Sequence, residues 1–204
     1  MKDLVEVFVR RMFSFIVIGC SFICAFYPNI IELFYGPKFQ GAALSGVIMM
    51  LYPMHQVYGQ LIGGTFYATG KTSIYSRITI SAAILSLGLS YLFMVKYNLG
   101  ANGMALKLVI TQFLTVSVIN FVFNRSLGIN SNREMLKDFS VLIFMLGGAF
   151  LLRYMLDLSN PIFALLAGAA VYILFCVVTI FIFPKIFGFR DRSQFFNLFR
   201  FKPW

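Results

Sequence analysis

Long runs of apolar residues, separated by short polar turns, dominate the pattern along this chain. Each run is close to the roughly 20 residues that a helix needs to cross about 30 Å of hydrocarbon. The runs are unbroken and do not alternate with polar residues, so they favour helices over membrane-barrel strands. The pattern therefore predicts an all-α, polytopic transmembrane helix bundle of about six spans. The six apolar blocks are 12–34, 42–68, 74–95, 103–123, 139–156 and 161–183.

The composition agrees with a membrane protein. Of the 204 residues, 60% are hydrophobic and only 12% are charged, and the mean hydropathy is +0.85. A soluble domain of this length needs a far more polar exterior. The three cysteines, Cys20, Cys24 and Cys176, lie inside apolar blocks, where packing is the simplest role for a thiol. We therefore expect no disulfide framework, no metal site and no cofactor.

The distribution of Lys and Arg predicts the orientation in the membrane. The net charge is +10, and the Lys and Arg residues that produce it lie between the apolar blocks and not on one amphipathic surface. A nucleic-acid partner is therefore not expected. If the N-terminus is cytoplasmic, the far side carries only Lys38, Lys96 and Arg153. Both termini are therefore predicted to be cytoplasmic. The cytoplasmic set is Lys2, Arg10, Arg11, Lys71, Arg77, Arg125, Arg133, Lys137, Lys185, Arg190, Arg192, Arg200 and Lys202.

Two segments are expected at the membrane surface. The fifth block is short and ends at Arg153, whose long stem is expected to reach the interface. Residues 185–204 mix basic and aromatic side chains, which is typical of an amphipathic segment on an anionic leaflet. Membrane lipids are therefore expected partners.

Polar side chains inside the second and fourth blocks are the candidate functional residues, because such groups are costly in hydrocarbon. Helical spacing places the polar residues of the second block on one broad helix face, which could line a cavity. Two other interpretations stay open. Gly59 and Gly63 could form a close helix contact with His55 bonded across it, and Lys107 could reach the interface on its own stem. The candidates for a substrate-binding cavity are Tyr52, His55, Gln56, Gln60, Lys107, Thr111 and Gln112, with Asn120 secondary.

No catalytic residues are indicated. The seven acidic residues are expected at or beyond the ends of the spans, so none is expected to pair with His55. The sequence also has no metal-ligand spacing, no phosphate-binding glycine loop, and no nucleophile with a base at helical distance. An enzyme is therefore not expected, and a coupling-ion site is expected to lie elsewhere.

Three stretches resemble one family of membrane transporters. The segment 31–43 ends a helix with an LF-x-G turn, 65–72 contains an A-x-G-K turn, and 97–105 has the form Y-x-x-G-x-x-G-x-A. In order and spacing these stretches resemble the polysaccharide flippases of the multidrug/oligosaccharidyl-lipid/polysaccharide exporter superfamily. The resemblance covers roughly residues 1–128. Members of this family have two lobes of helices around a central cavity.

The resemblance implies both an organisation and a function. Residues 1–128 would be four later helices of the second lobe, 129–184 two additional C-terminal helices, and 185–204 a cytoplasmic tail. The implied function is translocation of undecaprenyl-diphosphate-linked oligosaccharide across the bacterial inner membrane. The first lobe is not part of this sequence, so a missing N-terminal lobe or another polysaccharide assembly protein is an expected partner. The alternatives are a multidrug antiporter of the same superfamily, a membrane-embedded acyltransferase that uses His55, and a structural membrane subunit.

The charge distribution makes a topology prediction that reporter fusions can test. We expect fusions after Lys38 and after Lys71 to report opposite sides of the membrane, with the loop at Lys71 cytoplasmic. A fusion after Arg133 serves as a control and should report the cytoplasm. The same side at Lys38 and Lys71 would contradict the orientation.

Overall fold

All regular secondary structure in the described part of the chain is helical. The computed structural model describes residues 2–126, 131–156, 158 and 160–189. The fold class is therefore the all-α bundle that the apolar pattern predicts. The α-helices are α1 (Lys2–Tyr35), α2 (Ala43–Met49), α3 (Leu51–Ala68), α4 (Thr72–Ser90), α5 (Gly100–Ser126), α6 (Ser131–Met155) and α7 (Pro161–Ile182). A 3-10 turn at Pro37–Ala42 precedes α2, and a π-helical turn at Tyr91–Lys96 extends α4.

Five helical segments in these described ranges are long and apolar enough to cross a membrane. The protein is therefore a multi-pass membrane protein. Five of the six predicted blocks correspond to these segments. They are Phe8–Tyr35, Thr72–Lys96, Gly100–Arg125, Lys137–Met155 and Pro161–Ile182.

The second predicted block differs from the other five. It forms two helices, α2 and α3, that meet at Met50, and neither has the length and apolarity of the five segments. The break has a local cause, because Pro53 has no N–H to offer the carbonyl of Met49 one turn earlier. The polar residues that make α3 a functional candidate also lower its apolarity. The second block is therefore divided into two helices and is not one of the five long apolar segments.

Contacts with α1 and α5 nevertheless make α2 and α3 one pass through the bundle. Together they extend about 39 Å at 1.5 Å per residue. The Cys24 thiol of α1 donates to the Val47 carbonyl of α2 at 3.5 Å, whereas the earlier α1 residue Phe13 lines a cavity with His55 of α3. The path α2–α3 is therefore antiparallel to α1.

Helix α5 runs parallel to this path. The Ser45 hydroxyl donates to the Asn102 side chain at 2.6 Å, and further along Phe66 lies 6.1 Å from Phe123, ring to ring. Helix α4 packs against α5 at the edge of the bundle and has no buried residue.

Helices α6 and α7 complete the alternation around α1. Arg10 and Asp138 meet near the start of α1, and Arg153 of α6 donates to the Ala25 carbonyl at 2.6 Å near its end, so α1 and α6 are parallel. The Tyr172 hydroxyl of α7 donates to the Ile18 carbonyl at 3.0 Å. Six alternating passes place the start of α1 and the end of α7 on one face of the bundle.

The structure describes Arg153 and the first residues of the predicted tail, the two segments expected at the membrane surface. Arg153 is half-buried and donates to the Ala25 carbonyl of α1. The start of the predicted tail also packs inward, because Phe187 and Phe189 are buried and Arg11 donates to the Gly188 carbonyl at 2.9 Å. The tail from residue 190 onward lies outside the described residues.

The largest core joins α1, α6 and α7. Phe26, Val17 and Met145 are almost completely buried there. A Cβ atom added at Gly168 would overlap the buried Phe26 ring. The glycine therefore allows α7 to pack closely against α1 at this position. The two helices assigned to a separate C-terminal segment thus share one core with α1.

This close approach predicts a stability difference between two glycines. Gly168→Ala should lower the melting temperature in detergent by the equivalent of about 1–3 kcal/mol, the usual cost of overpacking. Gly147→Ala is the matched control, since Gly147 is also helical but has open space around it. Equal melting temperatures for the two variants would contradict this packing.

Candidate functional site

Two of the candidate polar side chains meet at the interface between α3 and α5. The Gln112 amide donates a hydrogen bond to the Gln56 side-chain oxygen, and both residues are partly buried. At Gly59 an added Cβ would lie 3.0 Å from Val116 and 3.6 Å from the Gln112 amide nitrogen. The small glycine therefore lets α5 approach closely enough for the two glutamines to pair.

His55 lies beside a small cavity among α1, α3, α5 and α6. Its ring is 4.8 Å from the Phe113 ring in an edge-to-face arrangement and 6.3 Å from the Phe139 ring, centroid to centroid. The cavity has a volume of about 30 Å³, which is enough for a water molecule and far too small for a sugar. Its lining also includes Phe13, Val116, Ser117, Asn120, Asp138 and Leu142.

Asp138 brings an acid to this cavity. It is only 8% exposed, and its carboxylate lies 3.9 Å from the Arg10 guanidinium. Asn120, also 8% exposed, accepts a hydrogen bond from Asn124 at 2.9 Å. Asp138 lies at the end of a span, as expected of the acidic residues, since it is the second residue of the segment Lys137–Met155. This end of α6 nevertheless lines the same cavity as His55.

Asp138 was missed because its helix begins earlier than its apolar block. The apolar residues start at 139, but α6 begins at Ser131 and carries Asp138 into the bundle. Val141, Met145 and Ala149 continue the same helix face and are all buried. A helical stripe that runs from Asp138 through these positions is the signal in the sequence. It was not decisive, since the other faces of α6 are apolar as well.

The remaining candidates are not all gathered at this site. Gln60 is exposed, and Tyr52 is half-buried on the α3 face that includes Gln56. Lys107 is half-buried about 7.5 Å along α5 from Gln112 and, by helical spacing, on a different face. Within the described chain, the buried Thr111 hydroxyl has no hydrogen-bond partner. The structure thus pairs Gln56 with Gln112 and places His55 beside a cavity that neither glutamine lines. Lys107 lies apart from this pair.

Close helix packing is confirmed at Gly59 and Gly63, two of the three glycines of α3. Gly59 contacts α5, and an added Cβ at Gly63 would lie 3.1 Å from the Tyr75 hydroxyl of α4. These residues therefore serve close helix packing. His55, one turn before Gly59 on α3, contacts the rings of Phe113 and Phe139. The same helix therefore carries both the close packing and one wall of the cavity.

The chemistry available at the site is hydrogen bonding and charge pairing. No group of three or more His, Cys, Asp or Glu residues within the described ranges is placed to hold a metal ion. The imidazole, carboxylate, amide and hydroxyl groups around the cavity suit an ordered water, which prefers two to four polar partners.

Comparisons with known protein families, with curated proteins and with solved structures found no match for this chain. The resemblance to the polysaccharide flippases therefore rests on the three sequence stretches alone.

The buried pair between α1 and α6 makes a stability prediction. Asp138→Ala should lower the melting temperature by the equivalent of roughly 3 kcal/mol or more, because it leaves the Arg10 charge enclosed without this carboxylate. Glu32→Ala is the control, since Glu32 bonds to Gln40 at an exposed position and should cost under about 1 kcal/mol.

A double variant tests whether the two charges act together. If they do, Arg10→Ala with Asp138→Ala should cost less than the sum of the single changes. Additive costs would contradict a direct interaction between Arg10 and Asp138.

Proposed function

We propose that this chain forms one wall of a membrane transport path for a lipid-linked oligosaccharide. The observation that carries the proposal is the polar contact between α3 and α5. His55 lies about 18 Å from the start of the α2–α3 path, which is about 39 Å long. Polar side chains at this depth are costly unless they serve a path or a partner. The Gln56–Gln112 pair and His55 are such side chains.

The proposed substrate is an undecaprenyl-diphosphate-linked oligosaccharide, in keeping with the resemblance. A diphosphate needs cations, and a sugar head group needs hydrogen-bonding side chains. Lys107 supplies a cation inside α5, and Tyr52, Gln56, Gln60, Thr111 and Gln112 supply hydrogen-bonding groups on α3 and α5.

A second helical lobe is part of the proposal. Pockets that hold even drug-sized ligands are about 300–1,000 Å³, whereas the polar cavity here is about 30 Å³. A sugar must therefore pass along a face of this bundle and not through it. Exposed Gln60 on α3 is suited to face such a path. Alternating access by two lobes around a shared site is a common transport mechanism.

The orientation follows from charge and geometry together. The start of α1 and the end of α7 lie on one face of the bundle, and most Lys and Arg residues are near that face or in the predicted cytoplasmic loops. The positive-inside rule then makes this face cytoplasmic in the proposed location, the bacterial inner membrane.

A multidrug antiporter of the same superfamily is the second candidate. The observation in its favour is the buried Asp138 in a cavity with Phe13, Phe113 and Phe139. A carboxylate with aromatic rings is typical of a site for organic cations. This cavity of about 30 Å³ has room for neither a drug nor an acyl donor, so an antiporter substrate, like a sugar, would have to pass along a face of the bundle, and the acyltransferase alternative gains only an acid beside the cavity of His55. A structural membrane subunit also fits the helical bundle.

Complementation of a flippase-deficient bacterial strain tests the proposed function. We expect this chain alone to leave surface polysaccharide absent, and the chain co-expressed with the N-terminal lobe of a polysaccharide flippase to restore it.

In the co-expressed pair, Lys107→Met should reduce the restored polysaccharide at least about tenfold, because one charge-assisted contact to a phosphate is worth more than about 1.4 kcal/mol. Lys185→Met is a control outside the helices. Restoration by the chain alone, without oligomers on cross-linking, would contradict the need for a second lobe. If no combination restores polysaccharide, the proposed substrate is wrong.

A further inference from the structure

A groove on the outer side of the bundle lies between α4 and α5. It has a volume of about 300 Å³, and its walls are mainly apolar side chains. Thr115 presents little polarity to it, because its hydroxyl donates to the Thr111 carbonyl at 2.7 Å. The groove is separate from the cavity at His55, because the two share no lining residue. Its lining is Arg77, Ile78, Ser81, Ala82, Leu85, Leu114, Thr115 and Val118.

One end of this groove is basic. Arg77 lines it about 7.5 Å from the start of α4, is exposed, and has no acidic partner among the described residues. Arg125 is also exposed, and by helical spacing it shares the face of α5 that carries Val118. Both arginines belong to the end where α3 finishes and α4 begins, which is the face with the start of α1.

The length of the groove fits one leaflet of a bilayer. From Arg77 to Leu85 the wall extends about 12 Å along α4. Half of a hydrocarbon core of about 30 Å is about 15 Å. A chain lying in the groove with its head group at Arg77 therefore ends near the middle of the membrane, as the acyl chain of a phospholipid does.

We propose that this groove binds one acyl chain of an anionic phospholipid whose phosphate lies against Arg77, with Arg125 adding to the positive potential. Basic pockets between transmembrane helices on the cytoplasmic side bind anionic head groups for this electrostatic reason. A zwitterionic lipid of the same acyl length fills the apolar part equally well but gains less from the two arginines. The occupant is thus selected by its net head-group charge. This inference is independent of the proposed transport function.

Native mass spectrometry of the purified full chain tests the site. In detergent, with phosphatidylglycerol and phosphatidylcholine of matched acyl chains, we expect phosphatidylglycerol to be retained about fivefold more, and Arg77→Gln to remove that preference. Lys71→Gln is the matched control. It removes an equal exposed charge near the same end, but helical spacing puts Lys71 on a different face from Arg77. Its preference should stay unchanged.

A steric variant tests the apolar part separately. Ala82→Phe should fill the groove and reduce retention of both lipids, and an unchanged melting temperature and helical circular dichroism would show that the variant folds. If it does not fold, Ser81→Leu at the neighbouring lining position is used in its place.

Four outcomes would overturn the proposal. The first is equal retention of the two lipids by the wild-type chain, and the second is an unchanged preference for phosphatidylglycerol in Arg77→Gln. The third is loss of that preference in Lys71→Gln to the same extent as in Arg77→Gln, and the fourth is full retention of both lipids by a folded groove-filling variant. Displacement of phosphatidylglycerol by a polyprenyl diphosphate at equal concentration would assign the groove to the transport substrate instead, which also contradicts it. A failed complementation experiment affects none of these readouts.

Discussion

A polar group inside a hydrocarbon layer has no water to bond, so it must find a partner within the protein. This constraint accounts for the contacts that join distant parts of the chain. Asp138 of α6 meets Arg10 of α1 toward one end of the bundle, and Arg153 of α6 donates to the Ala25 carbonyl toward the other. A shift of α6 along α1 by one turn would break both contacts and enclose charges without these partners. The two pairs therefore specify the register in which α1 and α6 pack.

The same constraint explains which features of the fold were predictable. Length and unbroken apolarity are sufficient to specify a membrane helix. All six blocks were predicted as spans, and five of them form helical segments long and apolar enough to cross a membrane. The second block was harder, because Pro53 divides it and His55 and Gln56 reduce its apolarity. Contacts along α1 and α5, which depend on residues far apart in the sequence, are needed to show that α2 and α3 make one pass.

The candidate site was predictable only in part. The α3 and α5 polar residues stand out against their apolar neighbours, and the structure pairs Gln56 with Gln112. Asp138 does not stand out, because it comes just before an apolar block and looks like the end of a loop. Only the early start of α6 and its packing against α1 bring this acid to His55. After Asp138 the other faces of α6 are apolar as well, so the sequence alone does not show which face of this helix packs against the bundle.

Helix α5 separates two surfaces of different chemistry. Gln112 faces α3 and the polar interior, whereas Leu114, two residues later and therefore on nearly the opposite side, lines the groove against α4. Because α5 is one continuous helix, a displacement that changes its contact with α3 also changes the width of the groove. The proposed lipid would contact α5 on the side opposite Gln112, so one helix carries both the wall of the groove and the hydrogen bond to α3.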